Sequence, residues 1–153
     1  MAVAEFVHAT HPELLDCLGG RVRLLLTGQQ TDGAMTLLQW LMPVGFCTPR
    51  HAHMHEDQAI HLLEGELECL VGDTELRLRS GETLLLPRGV PHRLHSVGAA
   101  DARLIVICTP AGYEEFLRAI GSPATPKLDP EPGTKSRGQF EAIVQRFGLK
   151  LMD

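Results

Sequence analysis

Glu66 to Val71 (ELECLV), the pair Gly72-Asp73, and Thr74 to Arg79 (TELRLR) form the stretch that decides the fold. The second run alternates strictly. Leu76 and Leu78 fall on one face, and Glu75, Arg77 and Arg79 on the other. A period of two on either side of a two-residue Gly-Asp link predicts an antiparallel β-hairpin.

Similar segments flank it. Arg21 to Thr27 and Ala34 to Met42 read as strands around the loop Gly28 to Gly33. Thr83 to Pro87 and His92 to Ser96 read as strands around the turn Arg88-Gly89-Val90-Pro91. Arg103 to Thr109 is nearly all apolar, which predicts a strand covered on both faces. Many short strands separated by Gly/Pro turns make an all-β barrel or sandwich. After Thr109 the period changes. Tyr113, Phe116, Leu117 and Ile120 share one helical face with Gly121 as a stop, and Gln139 to Phe147 offers a second short helix. Between them, Pro123, Pro126, Pro130 and Pro132 predict an extended linker. Both helices are expected to pack on the barrel or on a partner subunit. The expected division is an N-terminal arm over 1–20, a barrel over 21–110, and helices with a Pro-rich linker over 111–153.

With 153 residues and no internal repeat, the chain suits one domain with one core. A net charge of -5 argues against a nucleic-acid or anionic-membrane partner. No apolar run reaches membrane-spanning length, and the first ten residues lack the pattern of a secretory signal, so the expected location is the cytoplasm. The four cysteines form no CxxC pair and read as buried thiols of a reducing compartment. Cys47 also lies near a histidine cluster, where a reactive thiol or ligand is the alternative.

Six of the eight histidines fall between Arg50 and Ser96. Side chains of an extended strand alternate faces, so His51 and His53 point the same way. His92 opens a strand after the Pro87/Gly89 turn, which can bring it alongside. Three imidazoles on a sheet make a site for one divalent transition-metal ion with positions left open for a small molecule; iron, manganese, nickel, cobalt and zinc all suit it. Binding needs neutral imidazoles, so affinity is expected to fall below about pH 6.5. The alternative is a metal-free barrel with structural histidines. His61 and His95 have the opposite parity and should face outward; His8 and His11 are expected at the surface.

The spacing of these residues resembles the cupin superfamily. Its first motif, G-x5-H-x-H-x4-E-x6-G, is matched by Gly45, His51, His53 and Gly65, with Gln58 in the glutamate position. Its second, G-x5-P-x-G-x2-H-x3-N, is matched by Gly81, Pro87, Gly89 and His92, with Ser96 replacing the last residue. Glu56-Asp57, the run Leu63 to Glu66, the run Leu85 to His92 and the run Thr109 to Phe116 look most like the small quercetin-dioxygenase-like cupins. The resemblance implies a single antiparallel β-barrel of jelly-roll type with short C-terminal helices. It implies metal ligands His51, His53, Gln58 and His92, with Gln58 as a candidate catalytic group; His55, which shares strand parity with His51 and His53, is a further candidate as a base at the pocket mouth or a support to the ligands, with solvent exposure as the alternative. It also implies a metal-dependent dioxygenase acting on a small chelating substrate. A redox-neutral isomerase or lyase, and a non-enzymatic binder of small molecules, are the alternatives, because one fold hosts many chemistries. Gln58 cannot act as a carboxylate base, and its neutral amide leaves the ion's charge uncompensated, which favours an anionic substrate. Glu56 is expected to be a rim charge, and Arg50 and Arg88 rim cations. A homodimer is expected, with the N-terminal strand and the helices after Thr109 at its interface.

Overall fold

The structure is a computed structural model and describes residues 6–126 and 128–152, so the start of the expected N-terminal arm lies outside the described residues. In chain order the elements are β1 (Glu13–Cys17), β2 (Gly20–Leu26), β3 (Thr36–Met42), β4 (His51–His53), β5 (Asp57–Glu64), β6 (Glu66–Val71), β7 (Thr74–Arg79), β8 (Thr83–Leu86), β9 (His92–Val97), β10 (Ala102–Thr109), α1 (Tyr113–Ile120), β11 (Ser122–Pro123), α2 (Arg137–Arg146) and β12 (Leu149–Leu151).

The strands form two antiparallel sheets in the orders β11-β1-β2-β3-β10-β5-β8 and β12-β4-β9-β6-β7. Neighbours that are distant in sequence, such as β3 with β10 and β4 with β9, give the jelly-roll wrap. The predicted hairpin is β6–β7, with Val71 opposite Thr74 across Gly72-Asp73. The core lies between the sheets. Thr36, Leu38, Trp40 and Met42 of β3 point inward at every second position, as do Ala102, Leu104, Val106 and Cys108 of β10. At about 25 cal/mol per Å² this burial is the main favourable term holding the sheets together.

Several expectations need correction. β10 is central in its sheet but covered on one face only: Ile107 is 37% exposed. It lies in a row across four strands, opposite both Leu37 and Ala59, with Leu85 opposite Ala59. The strand expected from Ala34 starts at Thr36, because Thr31 Oγ1 draws Met35 N into the preceding turn at 3.2 Å. Helix α2 begins at Arg137, two residues before the expected start, because Ser136 and Gln139 form a capping box. Gly121 does end α1, its N–H bonded to Leu117 O at 2.9 Å. Both helices pack on their own barrel, α1 through Phe116, Leu117 and Ile120 and α2 through Val144. The chain then returns as β12 to pair with β4, and Met54 N to Gly148 O and Met152 N to Arg50 O (both 2.9 Å) extend the pairing. Among the described residues, no helix is long and apolar enough to cross a membrane.

Two glycines separate backbone strain from packing. Gly65 turns β5 into β6 at φ 85°, and a Cβ there would lie 2.7 Å from Ala102 Cα and 2.8 Å from Asp101 O. Gly81 has φ 89° with open space around it. Gly81→Ala should therefore cost only the left-handed backbone term, about 1–2 kcal/mol. Gly65→Ala should cost clearly more, about 3 kcal/mol or above. Urea unfolding of the two variants checks the order; equal losses would contradict it.

Candidate metal centre

β4 and β9 build the site. His51 and His53 share one face of β4, and His51 stands directly opposite His92 in the β4–β9 pairing. Burial is nearly complete, with exposures of 8%, 2% and 2% for His51, His53 and His92. One ligand atom from each residue lies within 4.8 Å of the others, so the three histidines could hold one metal ion.

The outer nitrogens decide what the inner ones can do. His51 Nδ1 lies 2.7 Å from Pro49 O, and His92 Nδ1 lies 3.1 Å from Val90 O. A carbonyl can only accept, so both Nδ1 atoms carry hydrogen. His53 Nδ1 donates to Glu56 Oε1 at 2.6 Å. Each neutral ring then turns a lone pair on Nε2 inward. His51 Nε2 and His53 Nε2 face each other at 3.1 Å, two acceptors with no hydrogen between them. That arrangement is repulsive unless a cation lies between the nitrogens. The separation suits two imidazoles bonded to one ion at about 2.0–2.1 Å. The donor set therefore fits a divalent transition metal.

Electrostatics agree. Burial lowers the pKa of His51 to about 4, with the neighbouring His53 adding to the effect. Burial lowers His53 to about 4. Burial, then His51 and His53, lowers His92 to about 3. All three rings are neutral at pH 7. Neutral rings are the form that can offer lone pairs to a metal ion.

Gln58 lines the same cavity and is 5% exposed. Its amide nitrogen donates to Cys108 Sγ at 3.3 Å, so its oxygen is the group it can offer inward. The cavity has a volume of about 20 Å³. Apart from the histidines, Gln58 and Thr48 its lining is apolar, with Trp40, Ile60, Leu104 and Val106 on the seven-stranded sheet and Tyr113 at the start of α1.

Other residues fall elsewhere. Glu56 is no rim charge: it is 6% exposed and fixes His53. Residues 54–56 bend between β4 and β5, so strand parity does not carry through to it. His55 is exposed, with its ring against Gly148. Cys47 is exposed rather than buried and pairs with His95 outside the cluster. His95 faces Glu68 at 3.7 Å and His61 bonds Thr83 Oγ1 at 2.8 Å, both on outer faces; His8 and His11 are exposed. Arg50 pairs with Asp73, and Arg88 with Asp57, instead of facing the cavity. Sequence reasoning also passed over Glu114. Its buried carboxylate receives hydrogen bonds from Gly28 N, Gly112 N and the Thr36 hydroxyl and ties α1 to the barrel.

Comparison with known proteins identifies the family. The model of the cupin domain matches residues 38–108. The chain is 31% identical over 109 residues to the tetracenomycin polyketide synthase protein TcmJ of Streptomyces glaucescens, covering 71% of this chain and 73% of that protein. It is 22% identical over 131 residues to quercetin 2,3-dioxygenase of Bacillus subtilis, covering 85% of this chain but only 39% of that protein. An RmlC-like cupin from Shewanella frigidimarina has the same fold, with a TM-score of 0.60 at 20% identity over 74% of this chain and 96% of the other. This chain belongs to the cupin superfamily, as a small single-barrel member.

The lowered imidazole pKa values predict how metal-free protein responds to acid. Unfolded histidines take up protons near pH 6.5, whereas the native ones do so only near 4 or below. The unfolded chain binds more protons between these limits, so this stability is complete above about pH 6.5 and is lost as pH falls toward 4. Glu56, raised by burial to about 6, works the other way but is one group against three. Urea unfolding should show a loss of about 2–4 kcal/mol from pH 7 to pH 5. The triple variant His51→Gln/His53→Gln/His92→Gln should show a much smaller change. Equal slopes would contradict the burial of neutral rings.

Proposed function

We propose that this chain is a metal-dependent enzyme. In this reading it holds one divalent transition-metal ion through His51, His53 and His92 and uses dioxygen to act on a small oxygen-chelating molecule, such as an enolisable ketone or a hydroxylated acid. The observation that carries the proposal is the pair of Nε2 lone pairs facing at 3.1 Å inside a buried site. The ion, once bound, supplies Lewis acidity toward chelating oxygens and electron exchange with dioxygen.

The protein's own groups do the rest. Pro49 O, Val90 O and Glu56 keep the three rings in one tautomer and orientation. Gln58 adds a neutral amide oxygen at the cavity wall, as a fourth donor or as a hydrogen-bond acceptor for the substrate. Unlike a glutamate, it cancels none of the metal's charge, so an anionic substrate is favoured. The apolar wall of Ile60, Leu104 and Val106 excludes water and strengthens these interactions. A cavity of about 20 Å³ has room for about one water beside the histidines, so in this reading side chains shift when a substrate's oxygens reach the ion.

The second reading is a redox-neutral isomerase or lyase. It is favoured by the likeness to a protein named for polyketide synthesis, since polyketide chains carry 1,3-related oxygens that enolise and chelate without needing dioxygen. A non-enzymatic binder is the third. The proposal also includes a homodimer, supported by the apolar outer row Leu37, Ile107, Ala59 and Leu85. A reducing cytoplasm suits the buried free thiols of Cys17, Cys69 and Cys108.

The test is oxygen uptake by protein reconstituted with iron, manganese, nickel or cobalt, across a panel of 1,3-diketones, catechols and hydroxy acids. Uptake should accompany substrate loss, and His51→Ala should abolish both. Gln58→Glu should raise KM for an anionic substrate by about tenfold, the effect of about 1.4 kcal/mol. Equal rates under strict anaerobiosis would replace the oxygenase by the isomerase or lyase. Tight binding without turnover of any compound would leave the binder. In light scattering, a mass of 16.8 kDa at high concentration would contradict the dimer.

A further inference from the structure

A divalent ion seated among His51, His53 and His92 would meet only neutral donors. An imidazole must be neutral to offer a lone pair, and the amide of Gln58 is neutral by nature. The rest of the cavity lining is apolar apart from Thr48. A buried charge with no counter-charge is costly, so the surroundings must supply a negative group.

The carboxylates around the cluster are not equally free to do so. Asp57 pairs with Arg88 at 3.0 Å. Glu114 is taken up by Gly28 N, Gly112 N and the Thr36 hydroxyl. Glu56 is different: it is buried, and its Oε1 lies 2.6 Å from His53 Nδ1. Among the described residues it is the one carboxylate bonded to a ring of the cluster. The three rings are therefore not equivalent. His51 and His92 give their Nδ1 hydrogens to main-chain carbonyls at 2.7 and 3.1 Å, whereas His53 gives its own to an acid side chain. A bond to an ionised acceptor is shorter and roughly twice as strong as one to a neutral acceptor.

We propose that Glu56 is a positioning residue that supplies the metal's counter-charge through His53. Its carboxylate draws on Nδ1–H, makes His53 Nε2 the strongest of the three imidazole donors, and sets a negative charge one ring away from the ion. The inference rests on the metal-centred reading and deepens it. Where the charge sits matters as much as its sign. A carboxylate at position 58 would stand in the cavity itself. Behind His53 it leaves the positions beside the imidazoles to Gln58 and to molecules from outside. One carboxylate offsets only part of a divalent charge, so the preference for an anionic molecule stands.

The test separates charge from shape. Glu56→Gln keeps the side chain's length and an oxygen for Nδ1–H but removes the charge. Zinc affinity of the full-length protein near neutral pH, measured by competition with a chelating dye, should fall about 10–100-fold while cooperative urea unfolding is retained. Gln58→Glu returns a carboxylate to the cavity. It should recover at least about tenfold in the Glu56→Gln background and clearly less in the wild type, where the counter-charge is already present. Unchanged zinc affinity in Glu56→Gln, or the same gain from Gln58→Glu in both backgrounds, would overturn the proposal. If Glu56→Gln does not fold, the wild-type protein carries the test. In nitrogen-15-labelled, zinc-loaded protein the His53 Nδ1 proton should resonate farthest downfield of the three ring N–H protons. A His53 proton level with those of His51 and His92 would overturn the proposal. Wild-type protein that takes up no zinc would overturn the metal reading and this inference with it, whereas zinc uptake that is indifferent to Glu56 overturns the inference alone.

Discussion

Three imidazoles crowded into a dry interior are an unfavourable arrangement, and the site depends on how each ring's outer nitrogen is held. Pro49 O and Val90 O accept from His51 and His92, and Glu56 accepts from His53. These bonds compensate the desolvation of each Nδ1–H and leave no freedom in the tautomer. The inner Nε2 atoms then present lone pairs to one another, an arrangement that a cation stabilises and water serves poorly. Folding thus delivers the ligands neutral and aimed, so a metal need not displace protons near neutral pH.

The jelly roll serves this arrangement by closing on both sides. One sheet carries the histidines, and the facing strands β3, β5 and β10 supply the apolar wall. The edge of β4, which would otherwise expose unpaired backbone beside the site, is covered by β12. On the proposed reading, the neutral amide of Gln58 leaves the ion's charge to be met by a ligand from outside, and the tight enclosure favours a small anionic one.

Much of this was legible in the sequence, because period-two patterns carry directly into sheet faces. The alternation of Leu76 and Leu78 located the β6–β7 hairpin, and the parity of His51 and His53 held because both lie within one short strand. Parity failed where the backbone leaves the strand. Glu56 sits in the bend before β5, so nothing in its spacing showed that it would turn back to His53. Cys47 sits in a loop that makes only an isolated bridge to His95, and it faces outward. The apolar run of β10 suggested cover on both faces, but its outer residues belong to an exposed row that only strand order reveals. The three residues of β12 are too few to show a period, so the cover over β4 became visible only in three dimensions.

The central claim is that one ion is held by the three inner imidazole nitrogens. X-ray absorption on protein loaded with one equivalent of cobalt tests it most directly. The account predicts three imidazole nitrogens in the first shell at about 2.0–2.2 Å, the remaining positions filled by oxygen, and loss of the signal in His92→Ala. A sulfur scatterer, a first shell with one imidazole or none, or a spectrum unchanged in His92→Ala would contradict it.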